Sequence, residues 1–165
     1  MIKKMTDENE IFFVLDNLRK EDKEELQALY GDNWYSSTLV DIKDKEVLVL
    51  YGNVEKKNNV PIAIGGFSTL FEESTEIACV WMLASKYIRK NGVLFLKELK
   101  NQIEIAEKKY KIMYNFIYKS NKSAKKWLKK VGFKFDNPNP ERMKVRTNFE
   151  FFYKVTEGIW DVYII

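Results

Sequence analysis

The sequence predicts a single α/β (α+β) domain built on one central sheet, and three observations carry that expectation. Strand-length apolar runs recur along the chain at Val47–Tyr51, Val60–Phe67, Glu76–Ala84, Lys111–Tyr118 and Asn148–Val155. Between them stand stretches with helical apolar spacing. From Thr75 to Phe133 the two kinds join into one unit: strand, basic turn, long amphipathic helix, strand, then a short Lys-rich helix closed by Gly132-Phe133. No repeat, low-complexity linker or composition break divides the chain, so residues 1–165 are expected to form one domain.

In chain order, Ile11–Leu15 is apolar and β-prone and is expected to be the first strand. Glu21–Tyr30 has acids in its first turn, Leu26, Leu29 and Tyr30 at helical spacing, and Gly31 as a stop. Asp32–Asp44 fits either a short helix or a packed loop. Asn53–Asn59 reads as a hairpin turn between two strands, and Gly65-Gly66 marks a bulge or a close backbone approach. Glu72–Thr75 reads as a polar turn.

From Gly92 to Tyr110, Leu96, Leu99, Ile103, Ala106 and Tyr110 form one face. Lys97, Lys100, Glu104, Glu107 and Lys108 form the other. Lys122–Val131 turns Ala124, Leu128 and Val131 inward, with Ser120-Asn121 as candidate caps and Gly132 as its end. Asp136–Glu141, with two prolines, is a loop, and Ile159–Ile165 is an edge strand or a packing tail.

Composition narrows the chemistry. Hydrophobic residues make up 45% of the chain and aromatic residues 15%, enough for a real core. There is no histidine, which removes His-based triads and His metal sites. One cysteine, Cys79, excludes an intrachain disulfide and a CxxC knuckle; it lies in an apolar run and reads as a small core residue. Twenty-eight basic against 24 acidic residues give a net charge of +4, compatible with a phosphorylated ligand. Nucleic acid is therefore not an expected partner. No stretch is long and apolar enough for a signal sequence or a membrane span, so a cytoplasmic protein is expected.

The basic turn Arg89-Lys90-Asn91-Gly92 leads directly into a helix, where unpaired N–H groups and the helix dipole favour an anion. Arg89 and Lys90 would add charge to the amides of Asn91, Gly92, Val93 and Leu94. Five lysines, Lys122, Lys125, Lys126, Lys129 and Lys130, stand away from the apolar face of the short helix. They read as a solvated face, as contacts to a ligand phosphate, or as a stripe for nucleic acid.

The order of elements resembles the GNAT N-acetyltransferase fold. Arg89-Lys90-Asn91-Gly92-Val93-Leu94 resembles that family's pyrophosphate-binding turn, Q/R-x-x-G-x-G/A, matching at Arg89 and Gly92 and departing at Leu94. Asn121-Lys122-Ser123-Ala124, followed by Val131-Gly132-Phe133, resembles its N-x-x-A … G-F stretch. A narrower resemblance, over roughly residues 46–158, is to GNAT-like internal virion proteins of short-tailed phages. It rests on Val47–Gly52, Pro61–Gly66, Trp81 and Trp127-Leu128.

The resemblance implies a mixed, mostly antiparallel sheet of six to seven strands flanked by about four helices. It also implies acetyl-CoA as cosubstrate and no metal. The pantetheine arm would lie along the fourth strand at Trp81, Met82 and Leu83, facing Lys111–Tyr118. The pyrophosphate would lie at Arg89–Leu94, with Asn121, Ser123 and Lys126 completing the cofactor contacts, Lys126 through the 3′-phosphate. Glu76 is the candidate base, with Glu72 and Glu73 able to act through water. The family's acidic tyrosine falls on Leu128 here, which leaves Tyr118 or Tyr114 as the candidate acid.

Two functions follow from the resemblance. One is an N-acetyltransferase acting on an amine-bearing small molecule or protein. The other is a phage virion or assembly protein that keeps the fold with little or no turnover. A homodimer is among the assemblies open to either.

Overall fold

The computed structural model describes residues 1–69, 76–136 and 148–156. In chain order these form β1 (Ile2–Lys4), α1 (Asn9–Asp16), α2 (Lys20–Tyr30), α3 (Trp34–Ile42), β2 (Leu48–Val54) and β3 (Lys57–Ser68). There follow β4 (Ile77–Ala84), α4 (Gly92–Glu107), β5 (Ile112–Tyr118), α5 (Lys122–Lys130), β6 (Lys134–Asp136) and β7 (Phe149–Val155). The sheet has seven strands in the order β1-β2-β3-β4-β5-β7-β6. β1 with β2, β2 with β3, β5 with β7 and β6 with β7 are antiparallel, and β4 with β5 is parallel. The mixed, mostly antiparallel sheet is the one that the family resemblance implies.

Two compact units make up the chain: Met1–Phe67 with Trp81–Leu99, and Ser68–Val80 with Lys100–Ile165. In the first unit Ile11–Leu15 is not a strand. It lies in α1, and the first strand is Ile2–Lys4. A five-residue apolar run fits both periods, and here the helical one wins. Ile11, Val14 and Leu15 are buried at three- and four-residue spacing, and Asp7 organises the start by accepting from the backbone and side-chain N–H groups of Asn9 at 2.9 and 2.8 Å. These three residues join Ile42, Val47, Val49 and Ile64 in a core cluster.

Asp32–Asp44 resolves into a short 3-10 turn followed by α3. The β2–β3 hairpin turns tightly at Glu55-Lys56, with Glu55 at φ 54°. At Gly65 and Gly66 the backbone is in close approach to its neighbours. A Cβ on Gly65 would fall 2.6 Å from the Trp81 carbonyl oxygen, and one on Gly66 2.6 Å from that of Glu46.

A buried polar node ties the α1–α2 junction to the end of β4. Arg19 and Asp22 are only 4% and 3% exposed. Arg19 Nε and Nη2 donate to the two Asp22 carboxylate oxygens at 2.8 and 2.6 Å. Asp22 also accepts the Ala84 N–H at 2.8 Å, while the Arg19 N–H donates to the Ala84 carbonyl at 3.0 Å. A bidentate pair that also satisfies backbone groups is the geometry in which a buried charge pair is tolerated.

The second unit packs the buried Ile103 and Ala106 of α4, Met113 and Ile117 of β5, Ala124 of α5, Val131, Phe133, and Phe149 and Phe152 of β7. Phe133 meets Phe152 edge-on at 5.4 Å between ring centres. α5 begins with the Asn121 side chain accepting the Ala124 N–H at 3.3 Å. It ends with Gly132 at φ 90°, the Phe133 N–H on the Leu128 carbonyl and the Gly132 N–H on that of Lys129. Both helix ends are therefore the ones the sequence signals. Glu72–Thr75, most of Asp136–Glu141 and Ile159–Ile165 lie outside the described residues.

Candidate active site

The parallel ladder between β4 and β5 covers three pairs, Ile77 with Ile112, Ala78 with Met113 and Cys79 with Tyr114. Both strands run on past it, β4 to Ala84 and β5 to Tyr118. At the next position the bond to β4 comes from a side chain: Asn115 Nδ2 donates to the Val80 carbonyl at 2.8 Å. Asn115 is the one amide side chain in Ile112–Tyr118. Beyond Val80, the successive residues Trp81, Met82 and Leu83 are all half-buried, which breaks the alternation expected of a strand packed on one face. The Trp81 Nε1 is buried and has no hydrogen-bond partner among the described residues.

The basic stretch after β4 is more helical than the sequence suggests. Lys86–Asn91 is a 3-10 helix that runs straight into α4, and Gly92 sits at φ −60°, ψ −35°. The glycine is thus not there for a left-handed turn. Among the described residues a Cβ on it would meet nothing within 4 Å, which leaves open space over Gly92. Val93 is exposed and Leu94 half-buried.

Arg89 is exposed and bonds Glu21 Oε1 of α2 at 3.1 Å. Burial pushes the Glu21 carboxyl up, but its own backbone N–H at the start of α2, the Arg19 charge and Arg89 together outweigh this and hold it below the usual carboxylate range. Asn91 is committed to the protein. Its amide donates to the Asn53 and Tyr87 carbonyls, both at 3.1 Å, and its oxygen accepts the Asn53 N–H at 3.2 Å. Lys90 is exposed.

In the second unit Asn121 is 2% exposed and acts as the α5 cap, with Ser123 Oγ 3.5 Å from its side-chain oxygen. Lys126 is exposed and Leu128 half-buried. Tyr118 is half-buried, its ring 5.5 Å from that of Phe149, and its carbonyl accepts the Asn121 N–H at 2.9 Å. Burial pushes the Tyr114 phenol up, with a further push from Cys79. Glu76 immediately precedes β4 and is about half exposed. It pairs with Lys111 at 2.5 Å, and its carbonyl accepts the Lys111 and Ile112 N–H groups.

Trp81, Met82, Leu83 and Arg89–Leu94 thus belong to the first unit, and Glu76, Tyr118, Asn121, Ser123 and Lys126 to the second. Glu72 and Glu73 lie outside the described residues. Two features went unread in the sequence: Asn115 and the Arg89–Glu21 pair. The first left a signal, a lone amide in an apolar strand, where local rules are broken most often at functional positions. The second left none, because 68 residues separate the partners.

No protein-family model and no curated protein matches the chain. Solved structures do. The GNAT domain of S. lividans PAT superposes with a TM-score of 0.64 at 13% identity, over 93% of this chain and 89% of that one. An acetyltransferase of the GNAT family from Streptococcus pneumoniae gives 0.61 at 15% identity, over 94% and 98%. A spermidine N-acetyltransferase chimera from Vibrio cholerae and hSSAT gives 0.62 at 12% identity, over 94% and 95%. The fold is therefore that of the GNAT acetyltransferases. Among the described residues no helix is long and apolar enough to cross a membrane.

Proposed function

We propose that this protein binds acetyl-CoA and transfers its acetyl group to the primary amine of a small molecule or protein. The observation that carries this reading is the β4–β5 ladder that stops after three pairs, with Asn115 closing it on the Val80 carbonyl. A strand that runs on past its ladder offers backbone N–H and C=O groups to an extended ligand. The pantetheine arm would take those of Trp81, Met82 and Leu83. Its pyrophosphate would lie over the open space at Gly92 with the amides through Leu94, and Arg89 would exchange Glu21 for phosphate. Lys90 adds charge, and Lys126 with the α5 start at Asn121 and Ser123 would serve the 3′-phosphate end.

In the reaction the amine nitrogen attacks the thioester carbonyl, a base takes the amine proton, and coenzyme A leaves as a thiol once its sulfur is protonated. Glu76 is assigned as the base and Tyr118 as the acid, and most of the acceleration would come from positioning. A second reading rests on Leu128. It stands where the resemblance places the phenol, and a leucine cannot protonate a thiolate. That favours a fold that holds coenzyme A without turnover, as in a virion-associated protein.

Thiol release from acetyl-CoA across an amine panel separates the two. Turnover that falls about 100-fold or more in Glu76→Gln or Tyr118→Phe supports the enzyme. Coenzyme binding with no thiol release from any amine selects the scaffold.

A further inference from the structure

The lysines of α5 fall into two sets. Lys125 pairs with Glu150, and the ammonium groups of Lys125 and Lys129 lie 5.7 and 5.4 Å from the centre of the Phe135 ring. Lys122, Lys126 and Lys130 have no acid and no ring as partner among the described residues. They recur every four residues, so they form one stripe, about 6 Å from one to the next and about 12 Å end to end.

This is an unfavourable arrangement for a merely solvated face. Like charges four apart oppose the helix, and Lys122 stands in the first turn, where a cation opposes the dipole that favours Lys130 in the last turn. α5 carries no acid at all. Elsewhere the chain interleaves its charges, as in Lys20 with Glu24, Lys45 with Asp41 and Lys100 with Glu104.

We propose that the Lys122–Lys126–Lys130 stripe is a docking surface for the phosphate backbone of duplex nucleic acid, read without regard to sequence. Evenly spaced, unpaired ammonium groups complement a regular run of phosphates, and each contact releases counterions. The stripe has no exposed aromatic ring, so it offers no platform for stacked single-stranded bases. Ala124 and Val131 are buried and Trp127 and Leu128 half-buried, so α5 presents no fully exposed apolar side chain to a lipid surface. The net charge alone does not point this way; the unpaired alignment of the three lysines does. The inference goes beyond acetyl transfer and does not rest on it. Lys126, assigned above to the coenzyme, is left intact in the test.

Fluorescence anisotropy of the full chain with a short mixed-sequence DNA duplex, across a salt series, provides that test. The stripe predicts a slope of log K against log salt near −3, from about 0.9 per neutralised phosphate. The Lys122→Ala/Lys130→Ala variant should flatten the slope by about two, and Lys122→Arg/Lys130→Arg should restore it. Both changes lie on the exposed face of a helix, where alanine is well tolerated, and circular dichroism checks the fold. Absence of binding at low salt, an unchanged slope in the alanine variant, or tighter binding to phosphatidylserine vesicles than to the duplex would each overturn the proposal.

Discussion

At Tyr51, burial and a contact with one carboxylate together move a side chain far from its ordinary behaviour. Burial first, and then the hydrogen bond to Glu10 and the charge of that carboxylate, push its phenol up to about 12. The folded state holds the proton that the unfolded chain releases near pH 10. This contribution to stability is therefore complete below about pH 10 and is lost as pH rises through about 12. An ultraviolet alkaline titration should show one tyrosine ionising later than the rest, and Glu10→Gln should shift that step toward lower pH.

The Arg19–Asp22 node is the second residue-scale case. Asp22→Ala leaves the buried guanidinium without its counter-charge and the Ala84 N–H without its acceptor. A loss of about 3–5 kcal/mol is predicted, read as a lower urea midpoint. Both sites join residues far apart in sequence, Glu10 with Tyr51 and Asp22 with Ala84, which is why no local pattern announces them.

Among the elements, those whose ends are marked by chemistry were readable from the sequence. α2 stops at Gly31, and α5 runs from the Asn121 cap to Gly132 in the left-handed region, because caps and glycine stops act within a few residues. α1 was not readable, since Ile11–Leu15 satisfies both periods and only packing chooses between them. The α4 start lies between these cases. Arg89–Gly92 is basic and helix-adjacent as the sequence says, yet the glycine has ordinary helical dihedrals and the chain enters α4 through a 3-10 turn.

That conformation gives a test at the same scale. Gly92→Ala should raise stability by about 0.4–1 kcal/mol, since alanine fits φ −60° without a clash and narrows the unfolded ensemble. The same methyl group should weaken acetyl-CoA if the pyrophosphate lies over that residue. Thermal unfolding and coenzyme titration of this one variant should therefore move in opposite directions.

For the whole molecule, the periodicity of the apolar runs conveyed the order of most elements, and the mixed sheet followed only from the family resemblance which that order carries. The candidate site was legible only in part. Arg89, Gly92 and Asn121 are carried by motif, whereas Asn115 and the Glu21 latch on Arg89 arise from strand register and helix packing. The central claim is that a GNAT fold with this short β4–β5 ladder holds acetyl-CoA at the start of α4. Calorimetric titration of the purified protein with acetyl-CoA, beside the Arg89→Glu variant, tests it most directly. The account predicts saturable one-to-one binding that weakens at least about tenfold in the variant, the equivalent of about 1.4 kcal/mol. No binding at physiological coenzyme concentrations, or equal affinity in the two proteins, would contradict it.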